Sequence, residues 1–216
     1  MAVVSNVLIG KASGSVGNAT FSTWKGINVL KEKAVSVANP RSDKQLMQRS
    51  ALSQVVAIFR LIPAILNLGF KKLAIKQSAY NAFESNALKN AFDLSAPPVA
   101  TFVPANMLIS KGSIAPSDIT VSTRSLAAGF FTAEYDNILT GPGQSLTDSA
   151  LAVAFNSTLN TWSASAAVRT RDDGDIEIPI PAGSVIGNTV FIYLGFFSSI
   201  DGTASDSANT TGLVVA

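Results

Sequence analysis

The chain has 216 residues, 47% of them hydrophobic and only 14% charged, with a formal net charge of +2 and neither histidine nor cysteine. An average soluble domain is roughly 25% charged, so this surface must be coated by small polar residues or covered by other subunits. The missing histidine removes the commonest general base and metal ligand, and the missing cysteine removes thiolate nucleophiles, zinc knuckles and disulfides; a non-enzymatic chain with no cofactor is expected.

The N-terminal "MAVVSNVLIG" has no basic region ahead of its short apolar run and does not read as a secretory signal. "GKASGSVGNATFSTWKG" (10–26) follows, rich in glycine and carrying two lysines. A phosphate-binding loop needs Gly-Lys-Ser/Thr leading into a helix, but Lys11 precedes Gly14 and strand-like sequence comes next. The stretch is expected to be a glycine-rich bend that feeds a β-hairpin over residues 18–37, with Lys25-Gly26 at its turn.

In "NPRSDKQLMQR" (39–49), Ser42 and Gln45 have capping-box spacing at a helix start, and Asp43 suits the positive end of the helix dipole. Leu46, Leu52, Val55, Val56, Phe59 and Ile62 then recur at helical spacing and are expected to form the buried face. Pro63 should kink or restart this helix and Gly69 should stop it. Arg60, Pro63 and Asn67 interrupt the most apolar stretch, so no membrane span is expected. A further helix is expected over 76–92, with Tyr80, Phe83, Ala87 and Ala91 on one face.

After "DLSAPPVATFVP" the pattern changes to eight short strand-like runs, "NMLISKG", "DITVST", "GFFTAEYD", "SALAVAFNS", "TWSASAAVRT", "DIEIPI", "TVFIYLGFFSS" and "GLVVA". Alternation is clearest at Trp162, Ala164, Ala166 and Val168. The expected fold is α+β: an N-terminal β-hairpin plus two or three helices, then an immunoglobulin-like β-sandwich. The expected domains are a glycine-rich hairpin and helical assembly domain at 1–95, a proline-rich linker at 96–104 and the sandwich at 105–216. Charge divides at the same seam, since residues 1–96 hold twelve Lys/Arg and four Asp/Glu (+8), and residues 97–216 hold four and ten (−6).

The strongest metal candidates are Asp172, Asp173 and Asp175 in "RTRDDGDIEIP", but EF-hand spacing is absent and an Asp-Gly hairpin turn is the simpler reading. Asp201 and Asp206 read as a surface loop. Glu134 and Asp136 share a strand face without a partner motif that would make them a catalytic pair.

The basic half admits nucleic-acid binding, with Trp24 as a stacking residue, although no recognised binding signature is present. The same charge would equally let the basic half of one subunit meet the acidic sandwich of the next. Gly10, Gly14, Gly17, Phe21, Trp24, Lys25, Arg41 and Arg49 are therefore expected at an assembly interface.

"GKASGSVGNATFSTWKGINVLKEK", "NPRSDKQLMQR", "GFKKLAIKQSAYNAF" and "VFIYLGFFSSIDGTASDS" together resemble an uncharacterised family common in Bacteroidota and their phages. That resemblance implies a virion or prophage role and no particular functional residue. Phage tail-tube, neck and head-decoration proteins offer an architectural parallel, an assembly region joined to an immunoglobulin-like domain. The expected function is a structural protein made in the bacterial cytoplasm that self-assembles or joins other virion proteins. The alternatives are a nucleic-acid packaging protein and an adhesin that binds a surface or glycan through its sandwich loops.

Overall fold

The structure, a computed structural model, describes residues 2–3, 13–24, 27–33, 36, 39, 41–123, 126–166, 168–210 and 212–215. They form two compact units, 1–41 and 42–216. The division falls at Arg41/Ser42 and not at the prolines of 96–104. It also redistributes the charge, with five Lys/Arg and one Asp/Glu in the first unit (+4) against eleven and thirteen in the second (−2).

The first unit is a four-stranded antiparallel sheet in the order β1-β4-β3-β2, built from β1 (Ala2–Val3), β2 (Gly14–Val16), β3 (Ala19–Trp24) and β4 (Ile27–Glu32). The expected hairpin is β3–β4, with Trp24 opposite Ile27 on either side of residues 25–26. Within the glycine-rich stretch, Gly14–Val16 form β2 and not an irregular bend. A two-residue turn joins β2 to β3 and has Gly17 first, at φ 58, where a primed turn requires positive φ.

In the second unit α1 (Asp43–Leu61) begins after an extended Ser42, but the Ser42 side chain makes no capping bond. Ser42 and Gln45 are both exposed, and water competes there for the groups that a capping box would pair. Pro63 starts α2 (Pro63–Gly69), and the two helices bend by 101°, because proline cannot extend the preceding hydrogen-bond ladder. Lys76, at φ 59, precedes α3 (Ala79–Asn90), whose Ser78 cap accepts a hydrogen bond from the Asn81 N–H at 3.1 Å. Among the described residues no single helix is long and apolar enough to cross a membrane.

The buried stripe of α1 is Met47, Ala51, Val55 and Ile58, continued by Ile62. It shares only Val55 and Ile62 with the expected face. Ala51 lets α1 come close to α3, whose own buried residues are Ala82, Phe83 and Ala87, and this leaves Leu52 39% exposed.

A short pair, β5 (Phe92–Asp93) with β6 (Thr101–Phe102), lies within the same unit. The small sheet has the order β11-β8-β7, from β7 (Ile119–Thr123), β8 (Phe130–Tyr135) and β11 (Asp175–Pro179). The large sheet joins β9 (Ser149–Asn156), β10 (Thr161–Ala164), β12 (Thr189–Phe197), β13 (Ala208–Asn209) and β14 (Leu213–Val214), with β9 and β12 at its centre. "NMLISKG" is not a strand. It runs on from a 3₁₀ turn at Pro104–Asn106 and is held by the Ile109 N–H on Ser207 Oγ (2.9 Å) and the Ser207 N–H on the Ser110 carbonyl (3.0 Å).

Almost every residue of β9 and β12 is buried, because each strand is covered on both faces. Leu151, Val153, Phe155 and Tyr193 pack in one core with the helices. Ala150, Ala152, Ala154, Ile192, Leu194 and Phe196 pack in a second core with Phe131, Ile176 and Ile178 of the small sheet. Helices and sandwich are thus layers of one unit. The segment expected as a linker is part of it, with Ala100 buried and its carbonyl bonded by Gln54 Nε2 at 3.1 Å. The α+β expectation holds, and the two facing sheets form a sandwich with a helical layer on one of them.

Candidate assembly surfaces

Of the eight residues expected at an interface, the sheet of the first unit holds Gly14, Gly17, Phe21 and Trp24. Gly10 and Lys25 lie outside the described residues. Arg41 is exposed at the end of the first unit, and Arg49 is an exposed residue of α1 in the second. Gly14 stands opposite Phe21, and Phe21 opposite Leu30, in one row across three strands. Gly14 has φ 116, and a Cβ added there would meet nothing within 4 Å. Its glycine therefore serves the backbone conformation and not a close contact inside the chain.

Among the described residues of this sheet, Val29 is the one buried apolar side chain, at 8% exposure. β2 is an edge strand whose three residues are all exposed, Val16 to 74%. An edge strand presents one row of backbone N–H and C=O groups to any incoming strand.

In the second unit the acidic loop is committed internally. Asp173 Oδ2 accepts hydrogen bonds from the Thr170 N–H (2.7 Å) and Thr170 Oγ1 (3.0 Å), with Arg169 3.6 Å from the other oxygen. The bonds from Thr170 hold the Asp173 carboxyl below the usual carboxylate range, with Arg169 adding to the effect. The Asp-Gly pair is not a hairpin turn. Gly174, at φ 77, ends a 3₁₀ turn at Arg171–Asp173, and β11 then pairs with β8 in the small sheet, Asp175 opposite Glu134. Asp118, Glu134 and Asp136 line a shallow hollow of about 430 Å³ with Ser117, Thr120 and Tyr135. Among the described residues no three His, Cys, Asp or Glu side chains are placed to hold a metal ion. In the neighbouring loop Asp206 Oδ1 accepts from the Gly112 N–H at 3.0 Å.

Sequence reasoning misses the buried Arg171, because nothing in "RTRDD" distinguishes it from its exposed neighbours. Arg171 is fully buried with its guanidinium over the Phe196 ring, 3.8 Å from the centroid. Its Nε is 3.7 Å from Asp148 Oδ2, and its NH1 donates to Ser117 Oγ. Burial lowers the Arg171 pKa while Asp148 opposes that shift. Beside it the Tyr135 hydroxyl donates to the Thr170 carbonyl at 2.8 Å and lies 3.1 Å from that of Asp175, and burial pushes its phenol up. These groups tie the 145–148 and 169–175 loops to the sandwich and offer no exposed nucleophile.

No curated protein and no solved structure matches the chain. A family described as "Family of unknown function (DUF6266)" matches residues 11–212.

Proposed function

The chain belongs to that family of unknown function, and from its fold we propose a non-enzymatic structural protein that self-assembles or docks on a larger particle. One observation carries the proposal: the four-stranded sheet of residues 1–41 buries a single apolar side chain among its described residues and ends in an exposed edge strand. An exposed edge strand and a sheet face with few buried described side chains are open to another strand on the edge or another surface over the face. A neighbouring subunit supplies either, by β-augmentation at β2 or by packing on the row that holds Phe21 and Leu30. The setting proposed is a phage virion, as a tail, neck or head-decoration component made in the bacterial cytoplasm.

Size-exclusion chromatography with light scattering and electron microscopy of the full chain test this reading. Concentration-dependent assembly is expected, and Val16→Lys on the edge strand should reduce it while leaving the thermal transition of the second unit in place. A wild-type chain that stays monomeric at every accessible concentration and binds no particle refutes the proposal.

A further inference from the structure

The solvent side of α1 is partly apolar. Arg49, Leu52, Ser53, Val56, Ala57 and Arg60 recur at intervals of three and four along it and line one shallow groove. They form an apolar strip with a guanidinium at each end, and α1 carries no acidic residue after Asp43. Eleven residues at 1.5 Å each put the arginines about 16 Å apart along the axis.

The outer face of the small sheet has the opposite character. β7, β8 and β11 contain Glu134, Asp175 and Glu177 and no Lys or Arg, and the charged residues adjoining the strands in sequence are the acidic Asp118 and Asp136 and the basic Arg124. Glu134 and Glu177 are exposed, and Glu134 stands opposite Asp175, a like-charge cross-strand pair that costs stability unless a cation lies over it. Glu177 is level with Thr132, so from its row to Asp136 is four residues, about 14 Å at 3.4 Å per residue. The acidic row and the arginine spacing therefore agree in length.

We infer that the outer stripe of α1 docks on the outer face of the small sheet of a second copy of this chain, in a head-to-tail contact. The charges select this occupant. Pairing α1 with α1 of another copy, parallel or antiparallel, sets arginine against arginine, whereas the acidic sheet face offers carboxylates at matching spacing and Leu52 and Val56 leave water between them. Both faces lie on one unit and are different surfaces, and a head-to-tail repeat of the contact propagates into a ring or filament.

This inference rests on the assembly reading above, and charge exchange separates their failures. Two full-length variants are compared with wild type by sedimentation velocity, Arg49→Glu with Arg60→Glu, and Glu134→Lys with Glu177→Lys, each checked for an unchanged thermal transition. Each alone should self-associate at least about tenfold more weakly, and a one-to-one mixture should recover wild-type assembly, because every contact in an alternating array then joins opposite charges. Wild-type assembly that persists unchanged in both variants overturns the α1 contact alone, as does a mixture no more associated than its parts. A wild type that never associates overturns this contact and the assembly proposal together.

Discussion

If helices and sandwich share one core, a cavity cut among the helices must destabilise the sheets equally, and Leu66→Ala tests that. Leu66 lies in α2, is completely buried, and belongs to the cluster that also contains Leu151, Val153, Phe155 and Tyr193 of the large sheet. Truncating a fully buried leucine costs about 3 kcal/mol, from lost transfer free energy plus the cavity left behind. For a unit of this size each kcal/mol lowers the midpoint by about 2–4 °C, so a fall of about 6–12 °C is expected. Two probes should report it together. Circular dichroism follows the helices, and the fluorescence of Trp162, in a Trp24→Phe background, follows the sheet, where its ring stacks on Phe155 with centroids 4.2 Å apart. Coincident shifts support one cooperative unit. A fall in the helical transition while the Trp162 transition stays in place would show two independent domains joined near residue 100 and refute the shared core.

Arg171→Met should cost about 3–5 kcal/mol in urea unfolding, because it leaves Asp148 buried without its partner. Adding Asp148→Asn should recover part of that loss, so the double variant is less destabilised than the two single losses added. Ser78→Ala should lower stability by about 1 kcal/mol while Ser42→Ala has a much smaller effect, since only Ser78 makes a capping bond; thermal melts distinguish them. Gly195→Ala should destabilise the sandwich, because its Cβ would come within 2.0 Å of Ser110 Oγ, and Ser110→Ala in the same chain should recover part of the loss. Asp173 should titrate by NMR below the usual carboxylate range. With the folded pKa depressed, the stabilisation is present above the unfolded pKa and fades as pH falls through the folded one. Thr170→Ala should raise the midpoint only partly, since the backbone N–H of residue 170 still donates.

Local chemistry made several elements legible in the sequence. Lys25-Gly26 between β-prone runs marked the β3–β4 hairpin, Pro63 marked the break between α1 and α2, and the strand-like "NATFSTW" ruled out a phosphate loop where β2 and β3 run. What stayed hidden depends on contacts distant in sequence. The alternation read from Trp162 to Val168 outlasts β10, which ends at Ala164 and leaves Val168 91% exposed. "SALAVAFNS" and "TVFIYLGFFSS" look like ordinary sandwich strands, yet their nearly unbroken apolar runs are what a strand covered on both faces requires, and those runs are the sequence's sign of a further covering layer. The change of charge near Pro97 records which surfaces are acidic. It carries no information on which elements share a core, and Ala100 and Phe102 pack beyond those prolines into the same cluster as the helices.

Gly14 and Gly17 have a backbone role in the sheet of the first unit. At these positions a Cβ would meet nothing within the chain, while φ of 116 and 58 favours glycine, so these residues shape the edge of the sheet. Under the assembly proposal, recognition would fall to the side chains this shape presents, Val16 on the edge strand and the row of Phe21 and Leu30. Together with the α1 stripe and the acidic sheet face, they would under that proposal give the low charge content a physical reason. Where subunits meet, surface can carry apolar side chains and a few charges placed opposite a partner, without the dense solvated charge that keeps monomers apart.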